Sequence, residues 1–242
     1  MKMNESLVWD QIYNNENFIT AMWLKNNYSK DLSIALRSVI ADKISVLSRN
    51  GWLIIEYLIK KYGPEPELIK AIGKTHQIEG RDWLILNLEK ESELKLEIIK
   101  ALACWGGSLK IKVIEKILRE PQQDMKLAGL ELLTFKLHEL DDIELLRITK
   151  ILLTDFREQV VISTIKVLQR RDELTIINAI ASLASSRSQN ISHAAIKAIG
   201  SIGTIQSYKI LSNLYLILED SKTKGIAKKQ LKHQYRFNKA SN

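Results

Sequence analysis

Apolar residues recur along this chain at i, i+3, i+4 and i+7, with Lys, Glu, Asn and Ser filling many of the positions between. That spacing lays one apolar stripe along each of a series of short helices. The helices come in pairs. In ISHAAIKAIGSIGTIQSYKILSNLYLILED, residues 191–220, one stripe ends at a glycine-containing break and a second follows. ELIKAIGKTHQIEGRDWLILNLE (67–89) and EIIKALACWGGSLKIKVIEKILRE (97–120) have the same form, and looser copies begin at Gly129 and Ser163. Aligned on the apolar residue of the shared Lys-Ala-Ile position, the copies are anchored at Ile72, Leu102, Leu133, Leu168 and Ile199, at intervals of 30, 31, 35 and 31 residues. A weaker copy centres near Ile40. A lone hairpin cannot bury both its stripes, whereas stacked hairpins bury them jointly, and a period of this length signals a solenoid.

The pattern therefore predicts an all-α fold, an α-solenoid (α-α superhelix) of about six helical hairpins with helical caps. The paired helices are expected near 30–48/51–62, 65–74/79–89, 92–105/108–119, 122–136/141–153, 157–170/173–185 and 189–203/205–219. Pro64, Pro66 and Pro121 fall between the apolar runs, and Gly51, Gly63, Gly107 and Gly203 at expected helix ends. Ser92, Asp141 and Asp172 stand at or near expected N-caps. One repeat domain is expected over 1–242. Within it, 1–29 is an aromatic N-terminal cap (Trp9, Tyr13, Phe18, Trp23, Tyr28), 30–220 holds the repeats, and 221–242 is a basic cap helix and tail. The cap helix is expected over 222–236, with Ala227, Leu231 and Tyr235 on its packing face.

Composition agrees with helix: Gly and Pro number only 10 and 3 in 242 residues. The formal charge of +8 is unevenly placed. Residues 1–220 carry 29 Lys and Arg against 28 Asp and Glu, while 221–242 carry seven basic residues and no acid. The basicity thus belongs to the tail, and a nucleic-acid footprint spread along one face is not expected. The first ten residues hold one Lys and no long apolar run, and no apolar stretch approaches a membrane span. With a single cysteine, Cys104, these features lead to the expectation of a cytoplasmic protein without a disulfide.

The units KAIGSIG (197–203) and KALACWGG (100–107) resemble the HEAT-like repeats first described in phycobilisome lyases. The resemblance covers roughly residues 30–220. It implies a concave protein-binding surface. For lyase-type members it would also imply handling of an open-chain tetrapyrrole on a phycobiliprotein, in a complex of two such subunits.

No catalytic set is legible. His76, His138, His193 and His233 show no metal-ligand spacing, and His138–Glu139 is a single His-Glu pair, so no metal is expected. Cys104 has no recognisable base or orienting partner and reads as a small buried core residue. No glycine-rich phosphate loop is present. Three places could bind a partner. Arg81, Asp82 and Trp83 are the densest mix of charge and aromatic in the body; they read either as a groove rim or as Trp83 in the core beside a charged helix start. Trp105 belongs to a tryptophan set (9, 23, 52, 83 and 105) confined to the first 105 residues. Lys228, Lys232 and Arg236 share one face of the final helix at i, i+4 and i+8. The expected function is a non-catalytic scaffold or chaperone-like module gripping a protein partner. The alternatives are a bilin-lyase subunit acting on a phycobiliprotein, with a tetrapyrrole as its only cofactor, and a nucleic-acid-binding repeat protein, which the charge distribution disfavours.

Overall fold

The computed structural model describes residues 5–14, 19–90, 92–107, 109–219 and 221–240. Phe18 of the expected aromatic cap lies outside the described residues, as do the side chains of Ser92, Arg236 and Lys239. Among the described residues there are fifteen α-helices and no strand: α1 (Glu5–Asn14), α2 (Ala21–Asn27), α3 (Ile34–Ser45), α4 (Ser48–Tyr62), α5 (Pro66–Thr75), α6 (Ile78–Asn87), α7 (Lys95–Trp105), α8 (Ile111–Leu118), α9 (Gln123–Phe135), α10 (Asp142–Thr149), α11 (Glu158–Leu168), α12 (Leu174–Ala181), α13 (Gln189–Ile202), α14 (Ile205–Ile217) and α15 (Ser221–Ala240). Six pairs, from α3/α4 to α13/α14, stand where the periodicity puts them. This is a packed helical-repeat arrangement of the solenoid kind. It divides into two compact units, Met1–Lys110 and Ile111–Asn242.

The register read from sequence is the register of the core. Ile40, Ile72, Leu102, Leu133, Leu168 and Ile199 all have zero exposure. Each lies on a first helix, all but Ile40 towards its C-terminal end. In the N-terminal unit α3 packs on α5 and α5 on α7; in the C-terminal unit α9 packs on α11, α11 on α13 and α13 on α15. The 35-residue interval accommodates a 3-10 turn, Leu137–Glu139, between α9 and α10, and a second, Lys150–Thr154, after α10. Gly73 permits a close approach within the N-terminal unit, because a Cβ there would fall against the backbone of Ala101 on α7.

Helix ends follow local chemistry. Asp141 accepts from the Glu144 amide at 2.7 Å, and Ser33, Ser188 and Thr204 cap α3, α13 and α14 in the same way. Glu173, one residue after the expected Asp172, caps α12. Gly106 and Gly203 end α7 and α13 in the left-handed region. Gly51 departs from expectation. Leu47 and Ser48 turn the chain tightly enough that α4 begins at Ser48, and Gly51 lies inside its first turn, buried.

The final helix buries Ala227 as expected but differs in the rest of its packing face. Tyr235 is 59% exposed and Leu231 half-buried; the face that packs is Thr223, Ala227 and Gln234. Small and polar residues are used because α15 lies close to α13, and a Cβ on Gly200 would collide with Gln230. Gln234 makes the contact specific. Its amide donates to the carbonyls of Ile199 and Gly200, at 3.0 and 2.8 Å, and to Ser207 Oγ at 3.2 Å. Those carbonyls belong to the last turn of α13, where no intrahelical donor remains. α15 thus stands where the first helix of a further pair would stand.

Candidate functional site

In the N-terminal unit, α3, α5 and α7 lie side by side and leave a groove of about 620 Å³ between their exposed faces. Ile34 and Pro66 supply apolar surface, and charged residues stand at both ends of the helices. At the N-terminal ends, Arg37 pairs with Glu65 at 3.2 Å and Glu67 at 3.3 Å, while Lys30 holds the other oxygen of Glu65 at 2.6 Å. Glu67 is buried and accepts from the Tyr28 hydroxyl at 2.7 Å. Burial, and then that hydrogen bond to a carboxylate, push the Tyr28 phenol well above its ordinary range. At the C-terminal ends, Lys74 pairs with Asp42 at 2.7 Å. Lys70 and Lys100, equivalent positions 30 residues apart, are exposed and have no ion-pair partner among the described residues.

Cys104 lines the same groove and is exposed. This corrects the expectation of a buried core cysteine. Ala103 and Leu102 carry the buried stripe of α7, and Cys104, one position on, turns out of it towards the open face.

The Arg81–Asp82–Trp83 cluster sits at the start of α6. Arg81 pairs with Asp82 at 2.7 Å, and its guanidinium lies over the Trp105 ring, 5.1 Å from the centroid. Trp105 in turn donates from its indole nitrogen to the Gln77 carbonyl at 3.1 Å. Arg81 and Trp105 therefore tie the α5–α6 turn to the end of α7, joining two of the sequence-derived candidates. Trp83 is half-buried and takes no part in that contact.

In the C-terminal unit, Lys228 and Lys232 are exposed on α15. They do not stand alone. Lys166 on α11 and Lys197 on α13 are exposed and line a cleft of about 590 Å³ with Ile162, Ile165, His193 and Ala194. Sequence reasoning missed Lys166, Lys197, Lys70 and Lys100. The signal was available: each stands two residues before a buried anchor, at Leu168, Ile199, Ile72 and Leu102. Among the described residues no group of three His, Cys, Asp or Glu side chains could hold a metal ion, and no helix is long and apolar enough to cross a membrane.

No family model matches the chain, and no curated protein does. Solved structures do. The complex of CpcE and CpcF of phycocyanin lyase from Nostoc sp. PCC7120 aligns over 92% of this chain and 97% of its own, at 14% identity and a TM-score of 0.52. The fold is a HEAT-like repeat. An engineered protein aligns over 89% of this chain and 96% of its own, at 13% identity and a TM-score of 0.44. Human deoxyhypusine hydroxylase in complex with glycerol aligns over 95% and 99%, at 12% identity and a TM-score of 0.39. At such identities the likeness is one of fold, and any activity of the HEAT-like repeat has to be argued from its own surfaces.

Proposed function

We propose that this chain is a HEAT-like protein-docking module, working as one domain, whose N-terminal groove across α3, α5 and α7 receives a segment of a protein partner. The observation that carries this reading is the pair Lys70 and Lys100. Around them the groove's other cations, Arg37 and Lys74, are already paired within the fold, while these two are left open beside apolar surface. A segment that sets apolar side chains against Ile34 and Pro66 and brings carboxylates to Lys70 and Lys100 matches that surface.

Cys104 provides the test, being the chain's single cysteine and lying in the groove. The protein carrying a benzophenone on Cys104 should, on illumination in native lysate, give one dominant adduct. Unlabelled protein should compete for it, and the unlabelled Lys70→Glu/Lys100→Glu variant should not. An adduct pattern that the variant competes as well as the parent does would remove the reading.

A second reading draws on the fold shared with the phycocyanin lyase complex. Here Lys70 and Lys100 would hold the two propionates of an open-chain tetrapyrrole. Co-expression with a bilin and an apo-phycobiliprotein decides it: visible absorbance on the purified chain supports this reading, and a colourless protein with no covalent adduct rejects it.

A further inference from the structure

Charge in the C-terminal unit is arranged as rungs. Lys166, Lys197 and Lys228 are spaced 31 residues apart, on α11, α13 and α15 in turn. These three helices pack in that order, so the lysines occupy equivalent places on neighbouring helices. All three are exposed. Arg170 and Lys232 repeat the charge four residues further on in the first and last rows, and both are exposed. None of the five has an ion-pair partner among the described residues. The cleft between α11 and α13 is lined by one carboxylate, Glu158, which already accepts from Asn190 at 2.9 Å. Cations so placed outnumber the single carboxylate, Glu158, that lines the cleft, and an anionic partner would offset the excess positive charge.

Spacing selects the kind of partner. Packed helices lie about 8–10 Å apart, which sets the distance between rungs. An α-helix rises about 10.5 Å in seven residues and returns to the same face after two turns. A helix with a carboxylate at every seventh position, laid across the rungs, therefore meets one lysine after another. Ile162 and Ala194 in the cleft between the first two rungs offer apolar surface to the residues beside those carboxylates. A single-stranded nucleic acid would want aromatic platforms for its bases. Among the described residues no Phe, Tyr or Trp lines this cleft or the one between α13 and α15.

We infer that this face docks an acidic amphipathic helix of a protein partner, with its carboxylates on Lys166, Lys197 and Lys228. The inference rests on the protein-docking reading and adds a second contact of defined chemistry to it.

The probe is a stapled helical peptide of roughly three heptads, with Glu at every seventh position and Leu beside it on the same face. Its control is a scramble of the same composition. By fluorescence anisotropy at low salt, the peptide should bind at least about tenfold more tightly than the scramble. Lys166→Glu/Lys197→Glu/Lys228→Glu should abolish that preference, with an unchanged circular dichroism spectrum. Lys209→Glu on α14 should leave it intact. Binding should weaken steeply between about 50 and 200 mM salt. No preference over the scramble, or a preference that survives the triple variant, overturns the inference. So does tighter binding of a duplex oligonucleotide than of the peptide. The Cys104 adduct, read in the parent protein, keeps the two ideas apart: an adduct that forms on a protein showing no preference for the peptide leaves the groove reading standing and removes only this one.

Discussion

Tyr28 is one of the places where the N-terminal segment meets the first repeats: its hydroxyl donates to Glu67, a buried carboxylate that also faces Arg37. Tyr28→Phe removes the donor and leaves the carboxylate short of a partner, so unfolding in urea should show a loss of about 1–3 kcal/mol. Because the phenol's ionisation is pushed upwards in the fold, its stabilising contribution is present below the unfolded value of about 10 and is lost as pH rises beyond it. Tyr28→Phe should flatten that alkaline limb of the stability curve. Gly73 is a second single-atom constraint. Gly73→Ala places a methyl against the Ala101 backbone, and the overpacking should cost about 1–3 kcal/mol by the same measurement. Cys104 should react with a maleimide in the native protein, to a stoichiometry of one, without denaturant. At this scale the sequence was easiest to read where a residue type has one physical use. Asp141 as a cap and Gly203 as a left-handed helix end are examples. It was hardest where a residue's neighbours decide its environment. Cys104 in KALACWGG differs from the buried Ala103 by one position of helical rotation, about 100°, which turns it out of the core.

The helices hold together through side chains that reach one repeat across to satisfy a neighbour. Trp105 bonds the Gln77 carbonyl, Arg171 the Leu140 carbonyl and Gln234 the Ile199 carbonyl, at sequence separations of 28, 31 and 35 residues. Several of these acceptors are turn or last-turn carbonyls, which a short helix cannot satisfy itself. Gln234→Ala should therefore cost about 1–3 kcal/mol, although the residue it removes is polar and close to the end of the chain. Asp155 makes a comparable junction between α9 and α11. Arg157 holds its carboxylate at 2.8 Å, with Lys126 at 3.5 Å, and keeps its ionisation well below the usual carboxylate range. Stability from this group is present above the unfolded value of about 4 and is lost as pH falls through the folded one. Asp155→Asn should remove that part of the acid sensitivity, read as a shallower fall of the urea midpoint below about pH 4. The element boundaries were legible because apolar stripes and caps agree. On the face of α15 only Ala227 was legible; Thr223 and Gln234 bear no hydrophobic signature, and only the nearness of α13 shows why small and polar residues suit that position.

Across the whole chain, net charge proved a poor guide to where charge acts. Residues 1–220 balance almost to neutrality, yet that balance averages over faces that differ. Asp155 and Glu67 are spent inside the fold, while Lys166 and Lys197 stand outside it. Sorting them needs the repeat register carried one step past the last visible copy of the motif, to Lys228, and nothing in the residues around Lys228 spells that motif out. The fold could be read from a period. The basic face could be read only from a period and a packing order together.

The place α15 occupies has a consequence for how such a chain can grow. Because it docks on α13 as another first helix would, α15 could equally well cover a copy of the pair before it. A chain in which residues 189–219 are duplicated keeps every interface it already has and gains one more lysine in line. Valence towards an acidic partner would then scale with the number of copies, and each added pair would lengthen the helix that can be read without changing the chemistry by which it is read.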